Sequence, residues 1–129
     1  QKLLHATLEA DATLTALIGG GRIFDALPER SPFPYVVIGP AQWRALGADQ
    51  DGTSEHLVDL SVFDRSETRS NVLAAAEAIR AALDETTLTL TTHHLVSLRV
   101  LRVDVSRNVK RRIYTAAIRL RAVIDFQSE

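Results

Sequence analysis

The stretch that decides the fold is Ile113–Phe126, which reads IYTAAIRLRAVIDF. From Tyr114 onward every second residue is apolar, whereas the alternate positions include Arg119 and Arg121. A period of two is typical of a β-strand that lays one face against a core. At about 3.3 Å per residue the strand spans roughly 46 Å, far beyond the usual five or six residues. We therefore expect part of it to leave the core of its own domain, as in sheets that serve assembly.

Length and composition limit the fold and the function class. The chain has 129 residues, of which 46% are hydrophobic, and this predicts one domain over 1–129. It contains no cysteine, so disulfides, thiolate nucleophiles and cysteine metal sites are excluded. Its apolar runs are far short of the roughly 18 residues of a membrane span, and its N-terminus lacks an export pattern. We expect a cytoplasmic protein with no membrane contact.

The segment before the final strand predicts its hairpin partner. Leu95–Val105 alternates as Val96, Leu98 and Val100 and then shifts phase. A bulge near Val100 would therefore keep Leu101, Val103 and Val105 inward as well. Asn108 favours a turn within Arg107–Lys110 that leads into the final strand.

A second hairpin is predicted upstream. Tyr35–Gly39 reads as a short strand and Ser54–Asp64 as a longer one. The Asp51-Gly52 dipeptide favours a tight turn. We therefore interpret Gln42–Thr53 as a long, mobile hairpin connection that carries Trp43 and Arg44.

Two helical segments complete the chain. Lys2–Ile18 has a helical stripe that Asp11 could interrupt as a cap, and Gly19–Gly21 would end it in a left-handed conformation. Ser66 is a candidate cap for a second helix. The apolar stripe of that helix is made of Val72, Ala76, Ile79 and Leu83.

The predicted order is helix, strand, strand, helix, strand, strand, with Thr86–Thr92 as a connector or short strand. This order predicts an α+β fold in which a mostly antiparallel sheet of two long hairpins packs against an N-terminal helix and a central amphipathic helix.

Catalytic and metal-binding patterns are missing from the sequence. There is no Gly-x-Ser-x-Gly and no His-Glu-x-x-His, and the three glycines at Gly19–Gly21 lack the Lys and Ser/Thr of a phosphate-binding loop. His93 and His94 are adjacent, so on a strand their rings point to opposite faces and cannot share an ion. We expect no catalytic residue, no metal and no cofactor, and hence no enzyme.

The charged residues form one constellation, in the C-terminal third. The net charge is only −1, yet eight of the fifteen basic residues lie there: Arg99, Arg102, Arg107, Lys110, Arg111, Arg112, Arg119 and Arg121. Such a set could contact phosphates, but only Tyr114 is interleaved as a stacking aromatic. The alternative is a solvated strand face whose bases pair with acids of this chain or of a neighbour, and we favour it.

Trp43 and Arg44 allow two interpretations. Trp and Arg are enriched at interface hot spots, which favours a contact surface in the connection between the first two strands. The other interpretation is that Trp43 folds back over its own sheet.

The combined pattern resembles a known family. The segments Leu17–Gly20, Arg22–Phe24, Phe33–Gly39, Asp51–Thr53 with His56–Phe63, and Ala74–Leu83 are similar to those of the tail completion, or tail terminator, proteins of long-tailed bacteriophages, prophage remnants and gene transfer agents. Phe63 stands where that family usually has another aromatic, often Trp. The likeness extends over nearly the whole chain.

The resemblance implies a ring, commonly a hexamer, that caps the head-proximal end of the tail tube and joins it to the head connector. Its partners would be further copies of the chain, the tail tube protein, the head connector or stopper protein and, transiently, passing DNA. It would assemble in the bacterial cytoplasm and end in the neck of the particle. Interface candidates are Trp43, Arg44, Arg107, Lys110, Arg111 and Arg112. Candidates for facing the lumen or DNA are Arg99, Arg102, Arg119 and Arg121.

Two other functions stay open from the sequence. One is a head-side stopper or neck ring, which shares the ring-forming task. The other is an oligomeric module that binds nucleic acid through the basic C-terminal third.

Overall fold

The computed structural model describes residues 2–46, 52–65, 68–84 and 93–126. The helices and strands in these ranges are α1 (Lys2–Ala10), α2 (Ala12–Ile18), β1 (Ile23–Phe24), β2 (Tyr35–Ala45), β3 (Thr53–Asp64), α3 (Ser70–Asp84), β4 (His93–Asn108) and β5 (Ile113–Phe126). The strands form one sheet in the order β1-β2-β3-β5-β4. Every neighbouring pair is antiparallel except β1 and β2, which are parallel. The predicted α+β class with two long hairpins is confirmed.

The core lies between the helices and one face of the sheet, which we call the helix-side face. β5 runs between β3 and β4, and its apolar residues alternate onto this face, so that Ile118 lies opposite Leu60. Both side chains are fully buried, as are Ile79 of α3 and Leu14 of α2. Each such burial stabilises the fold by about 1.5–3 kcal/mol. β5 therefore contributes to the core through the alternate apolar side chains that the sequence shows.

The N-terminal helix is interrupted where the sequence predicts. The Asp11 carboxylate accepts a hydrogen bond from the Leu14 N–H at 2.9 Å and so caps α2. Gly19 ends α2 with φ 90° and ψ 155°, and its N–H donates to Thr15 O at 2.7 Å. The φ of Gly19 is positive, as is that of Gly21 at 71°, so the predicted left-handed end of the helix is confirmed.

The central helix has the predicted stripe but a different start. Val72 and Ile79 are buried, yet α3 begins at Ser70, four residues after the expected cap Ser66, which lies outside the described residues. The side chain of Asn71 donates to the buried Asp64 carboxylate at 3.0 Å and so attaches the first turn of the helix to the end of β3. A stripe that begins at Val72 does not specify where the helix starts.

β2 is twice as long as predicted. The strand continues to Ala45, so the interpretation of Gln42–Thr53 as a connection is wrong for its first four residues and for Thr53, which opens β3. The register with β3 shifts between Ile38 and Ala41. The shift accommodates Pro40, which has no N–H to donate to a ladder. Residues 47–51 of the connection lie outside the described residues.

The bulge predicted in β4 is present. The pairing with β5 shifts between Val100 and Arg102, and a further shift occurs between Leu95 and Ser97. Val103 then lies opposite Ile118, on the helix-side face as predicted. Leu101 falls at the bulge and is 50% exposed, so its predicted inward position is wrong. The connector Thr86–Thr92 lies outside the described residues.

The β4–β5 turn follows Asn108 and comprises residues 109–112, so the predicted turn over Arg107–Lys110 begins too early, because β4 continues to Asn108. The Asn108 side-chain oxygen accepts a hydrogen bond from the Arg111 N–H at 3.1 Å. Arg112 closes the turn with φ 57°. This left-handed conformation is uncommon for arginine and fixes how the chain enters β5.

Candidate interaction surface

The face of the sheet that turns away from the helices, here called the outer face, carries the charged residues. Antiparallel pairing places directly opposed residues on the same face. Asp59 lies opposite Arg119, and Leu57 lies opposite Arg121. Arg121 in turn lies opposite Arg99 of β4. Residues far apart in the sequence therefore meet on one surface.

Glu55 is the most enclosed charge on this face. Its side chain is 9% exposed and receives hydrogen bonds from Arg121 of β5 and, at 2.8 Å, from Nε of Arg44 of β2. The Arg121 hydrogen bond, assisted by Arg44, holds the pKa of Glu55 below its usual value, although burial acts to raise it. Glu55 is therefore an ionised link across three strands.

A second ionic link lies further along the same strands. The Arg119 guanidinium donates two hydrogen bonds to the Asp59 carboxylate, at 2.8 and 3.1 Å. This contact lowers the pKa of Asp59, and the charge of Arg102 lowers it further. Arg102 itself pairs with Asp104 at 3.1 Å. The middle of the outer face is thus largely compensated in charge.

A shallow cleft of about 430 Å³ lies over the Glu55 link. Gln42, Leu57 and Leu101 contribute to its walls together with the two arginines. Of the described residues that line it, the one carboxylate, Glu55, is already paired with two arginines. Arg99 lies near it, exposed, with no acid in salt-bridge contact among the described residues.

A larger groove, of about 760 Å³, lies at the opposite end of the outer face, beside the β4–β5 turn; we call it the turn groove. Its floor is a cluster of Phe33, Tyr35 and Phe63, whose neighbouring ring centroids are 5.3 and 5.2 Å apart. The guanidinium of Arg65 lies 5.0 Å from the centroid of the Phe33 ring. Lys110 contributes to the wall on the side of the turn.

The six predicted interface residues do not form one surface. Trp43 lies on strand β2 and not in a loop, is 70% exposed, and stacks on His56 at 6.4 Å between ring centroids. Because His56 is in phase with Leu60, Trp43 occupies the helix-side face where the sheet extends beyond the helices. Arg44 is engaged with Glu55 on the other face.

The four predicted bases of the β4–β5 turn also separate. Arg107 lies over the Tyr114 ring at 5.3 Å, and Arg112 holds the end of the turn. Only Lys110 and Arg111 share a site, because both line the turn groove.

The four residues predicted to face a lumen or DNA do share a surface. Arg99, Arg102, Arg119 and Arg121 are all on the outer face. Three of them are held by acids of the same chain, whereas Arg99 has no acid partner within the ranges that the structure describes. Of the two interpretations that the sequence left open, the geometry favours pairing with the chain's own acids.

Sequence reasoning missed Glu55 and the aromatic floor of the turn groove. Glu55 and Asp59 lie on the same face of β3. Once β3 is paired with β5, the alternation of both strands predicts that these acids face the arginines of β5. Phe33 and Tyr35 are two residues apart, but Phe63 belongs to another strand, and only the register of β2 with β3 places it against Tyr35.

Other chemistry is not indicated in the described part of the chain. There, no group of three or more His, Asp or Glu side chains is arranged to hold a metal ion. Within the same ranges, no helix combines the length and apolar character that crossing a bilayer demands. Exposed large apolar side chains lie in the loop after β1, on β2, on the edge strand β4 and in the β4–β5 turn: Leu27, Trp43, Leu101, Val103 and Val109.

Comparison with known proteins identifies a family and similar solved structures. The model of the family described as tail completion protein gp17 matches residues 2–125. Among solved structures, a chain of a particle described as the virion of a native gene transfer agent is similar, with a TM-score of 0.83 and 29% identity. The match covers 95% of this chain and 91% of that one. No curated protein matches significantly.

Proposed function

We propose, from the premise that the chain belongs to the tail completion protein gp17 family, that it forms a ring which caps the head-proximal end of a phage-like tail tube and joins it to the head connector. That it is a structural protein of the phage-tail type follows from the family and from the likeness to a virion chain. The proposed ring is a hexamer, and each copy contributes one domain over residues 1–129. It assembles in the bacterial cytoplasm and ends in the neck of the particle.

The observation that carries the proposal is the likeness, over nearly the full chain, to a component of an assembled virion. Because the fold is retained with a TM-score of 0.83 at 29% identity, an assembly role of the same kind is the function best supported.

The sheet supports the proposal because it extends past the part that the helices cover. Val36 and Ile38 of β2 are buried, whereas Ala41–Ala45 of the same strand are exposed. The edge strand β4 likewise exposes Leu101 and Val103. Specific interfaces bury about 800 Å² per partner and are apolar at their centre. Contact between copies of the chain would cover the apolar groups that this part of the sheet exposes.

The edge position of β4 also favours assembly. β4 has 16 residues and only β5 as a neighbour among the described strands. A long unpaired edge presents N–H and C=O groups that favour pairing with another chain. Ring closure against the next copy would cover this edge.

In this arrangement β4 and β5 form the inner wall, and their outer face turns to the lumen. Asp59 and Glu55 would then moderate the charge of Arg119 and Arg121 towards passing DNA, which keeps its contact transient. Arg107, Lys110, Arg111 and Arg112 would reach one neighbouring ring, and Trp43 and Arg44 lie at the other end of the sheet.

The direct test is negative-stain electron microscopy of the purified protein mixed with purified tail tubes. We expect a ring at one end of each tube. Tubes with bare ends would contradict the proposal. Rings found on isolated heads and not on tubes would indicate the head-side stopper, and DNA binding that falls steeply with salt would indicate the nucleic-acid-binding alternative.

The turn is tested by Arg111→Glu combined with Arg112→Glu. We expect capped tubes that join heads poorly, because the substitution reverses two charges at the proposed contact, and the measurement is the yield of joined particles. Arg69→Glu combined with Arg80→Glu changes the net charge equally on exposed positions near and in α3 and should leave the yield unchanged. A normal yield from the turn variant would remove these residues from the contact.

A further inference from the structure

We propose that the turn groove is a docking site for an acidic, extended segment of a partner protein that carries an aromatic or aliphatic side chain. The inference deepens the proposed function by naming the chemistry of the neck partner. It rests on that function only for the identity of the protein that supplies the segment.

The shape of the turn groove fits a peptide side chain. At about 760 Å³ it is in the size range of sites that enclose ligands. Phe33, Tyr35 and Phe63 pack on one another and leave Phe33 and Phe63 partly exposed, so the floor is apolar and firm. Leu27 contributes to the rim and is 69% exposed. An apolar side chain that entered here would bury these groups together.

The charge of the groove selects an acidic partner. Four cations line it, namely Arg30, Arg65, Lys110 and Arg111, against the single carboxylate of Glu29. No ion pair involves any of these five side chains within the described ranges, so a partner's carboxylates would not have to displace an existing one. Arg65 is positioned by its contact with the Phe33 ring, which reduces the entropy it would lose on binding.

The same surface argues against duplex DNA as the occupant. Non-specific DNA binding needs a continuous track of cations that neutralises successive phosphates. The middle of the outer face is compensated, since Arg119 is held by Asp59 and Arg102 by Asp104, so it interrupts any track of cations along the sheet. The four cations of the turn groove are thus separated from Arg99 at the other end of the sheet, and they lie over an apolar floor. That combination matches an acidic segment with an apolar anchor better than a phosphate backbone.

The experiment measures fluorescence anisotropy of labelled twelve-residue peptides with the full chain. One set flanks a central Phe or Leu with Asp and Glu, a second replaces the acids by Asn and Gln, and a third keeps the acids and replaces the apolar residue by Ser. A 20-base-pair duplex is the nucleic-acid probe. We expect the first set to bind about tenfold more tightly than either of the other two, since two exposed ion pairs contribute about that factor and one buried apolar side chain contributes about as much.

Variants locate the binding. Lys110→Glu with Arg111→Glu should weaken the first set about tenfold, because two favourable contacts become repulsive. Arg69→Glu with Arg99→Glu makes the same change in net charge outside the groove and should stay within about twofold. Both pairs of residues are exposed, and circular dichroism checks that each variant is folded.

Three results would overturn the inference. They are equal binding of all peptide sets, equal weakening by the two double variants, and tighter binding of the duplex with the same loss in the Lys110→Glu, Arg111→Glu variant. The last would make the turn groove a nucleic-acid site. Because tube capping is scored by microscopy, failure of peptide binding and failure of the proposed function are separately visible.

Discussion

The two faces of the sheet are made by the same strands and differ in almost every physical respect. On the helix-side face, Leu60 and Ile118 meet as fully buried apolar neighbours. One residue further along each strand, Asp59 and Arg119 meet as a half-exposed ion pair. Burial on the first face provides most of the stability, whereas the second face arranges charge for contact with other molecules.

The largest effect should come from removing apolar volume from the helix-side face. Leu60→Ala should lower the free energy of unfolding by about 2–5 kcal/mol, because the site is fully enclosed and cannot collapse. Urea denaturation with a circular dichroism signal measures it. Leu101→Ala, the same chemical change at a half-exposed position, should cost less than about 1 kcal/mol. Equal losses would remove the distinction between the faces.

Acid should weaken the outer face selectively. The pKa values of Glu55 and Asp59 are lowered in the folded chain by their arginine partners. Their stabilisation is therefore complete above the unfolded values of about 4.3 and 3.9, and is lost as the pH falls through the lower folded values. Thermal midpoints measured between pH 7 and pH 2.5 should therefore decrease as the pH falls from about 4.3 towards the lower folded pKa values.

The matched control for that prediction is Glu55→Gln combined with Asp59→Asn. It should be less stable than the parent at pH 7, by less than Leu60→Ala, and its thermal midpoint should vary less as the pH is lowered. If its acid dependence equalled that of the parent, other carboxyls would be responsible and the ionic links would be incidental.

The smallest effect is expected at Arg99, which lies opposite Arg121 on the outer face with no acid partner among the described residues. Arg99→Glu replaces a like-charged cross-strand pair by an opposite one, so the stability should be unchanged or rise by up to about 0.5 kcal/mol. Urea midpoints at low and at 1 M salt measure it, and the gain should vanish in high salt. A loss above this size would mean that Arg99 has a structural role.

Local signals account for what could be predicted. The Asp11 cap, the stripe of α3, the bulge near Val100 and the full extent of β5 each depend on residues within a few positions of one another, and each is confirmed. The length of β2 could not be predicted in this way. Gly39 and Pro40 favour an end to the strand, but its pairing with β3 continues it to Ala45.

The site was less predictable than the fold because it depends on pairing. The basic residues of the C-terminal third were visible in the sequence, but whether Arg119 is free or neutralised depends on a residue 60 positions away. Trp43 was expected in a connection, and its position on β2 separates it from the bases of the turn.

The sequence by itself determined the alternation of β5 and the apolar stripe of α3, and therefore an α+β fold with one covered face. These patterns have periods of two and 3.6 residues, and each depends only on residues that are close together in the chain. Only the tertiary structure decided which carboxylate holds which arginine and which aromatic rings make the floor of the turn groove. Both depend on the register between distant strands, and a shift of one residue would exchange the two faces.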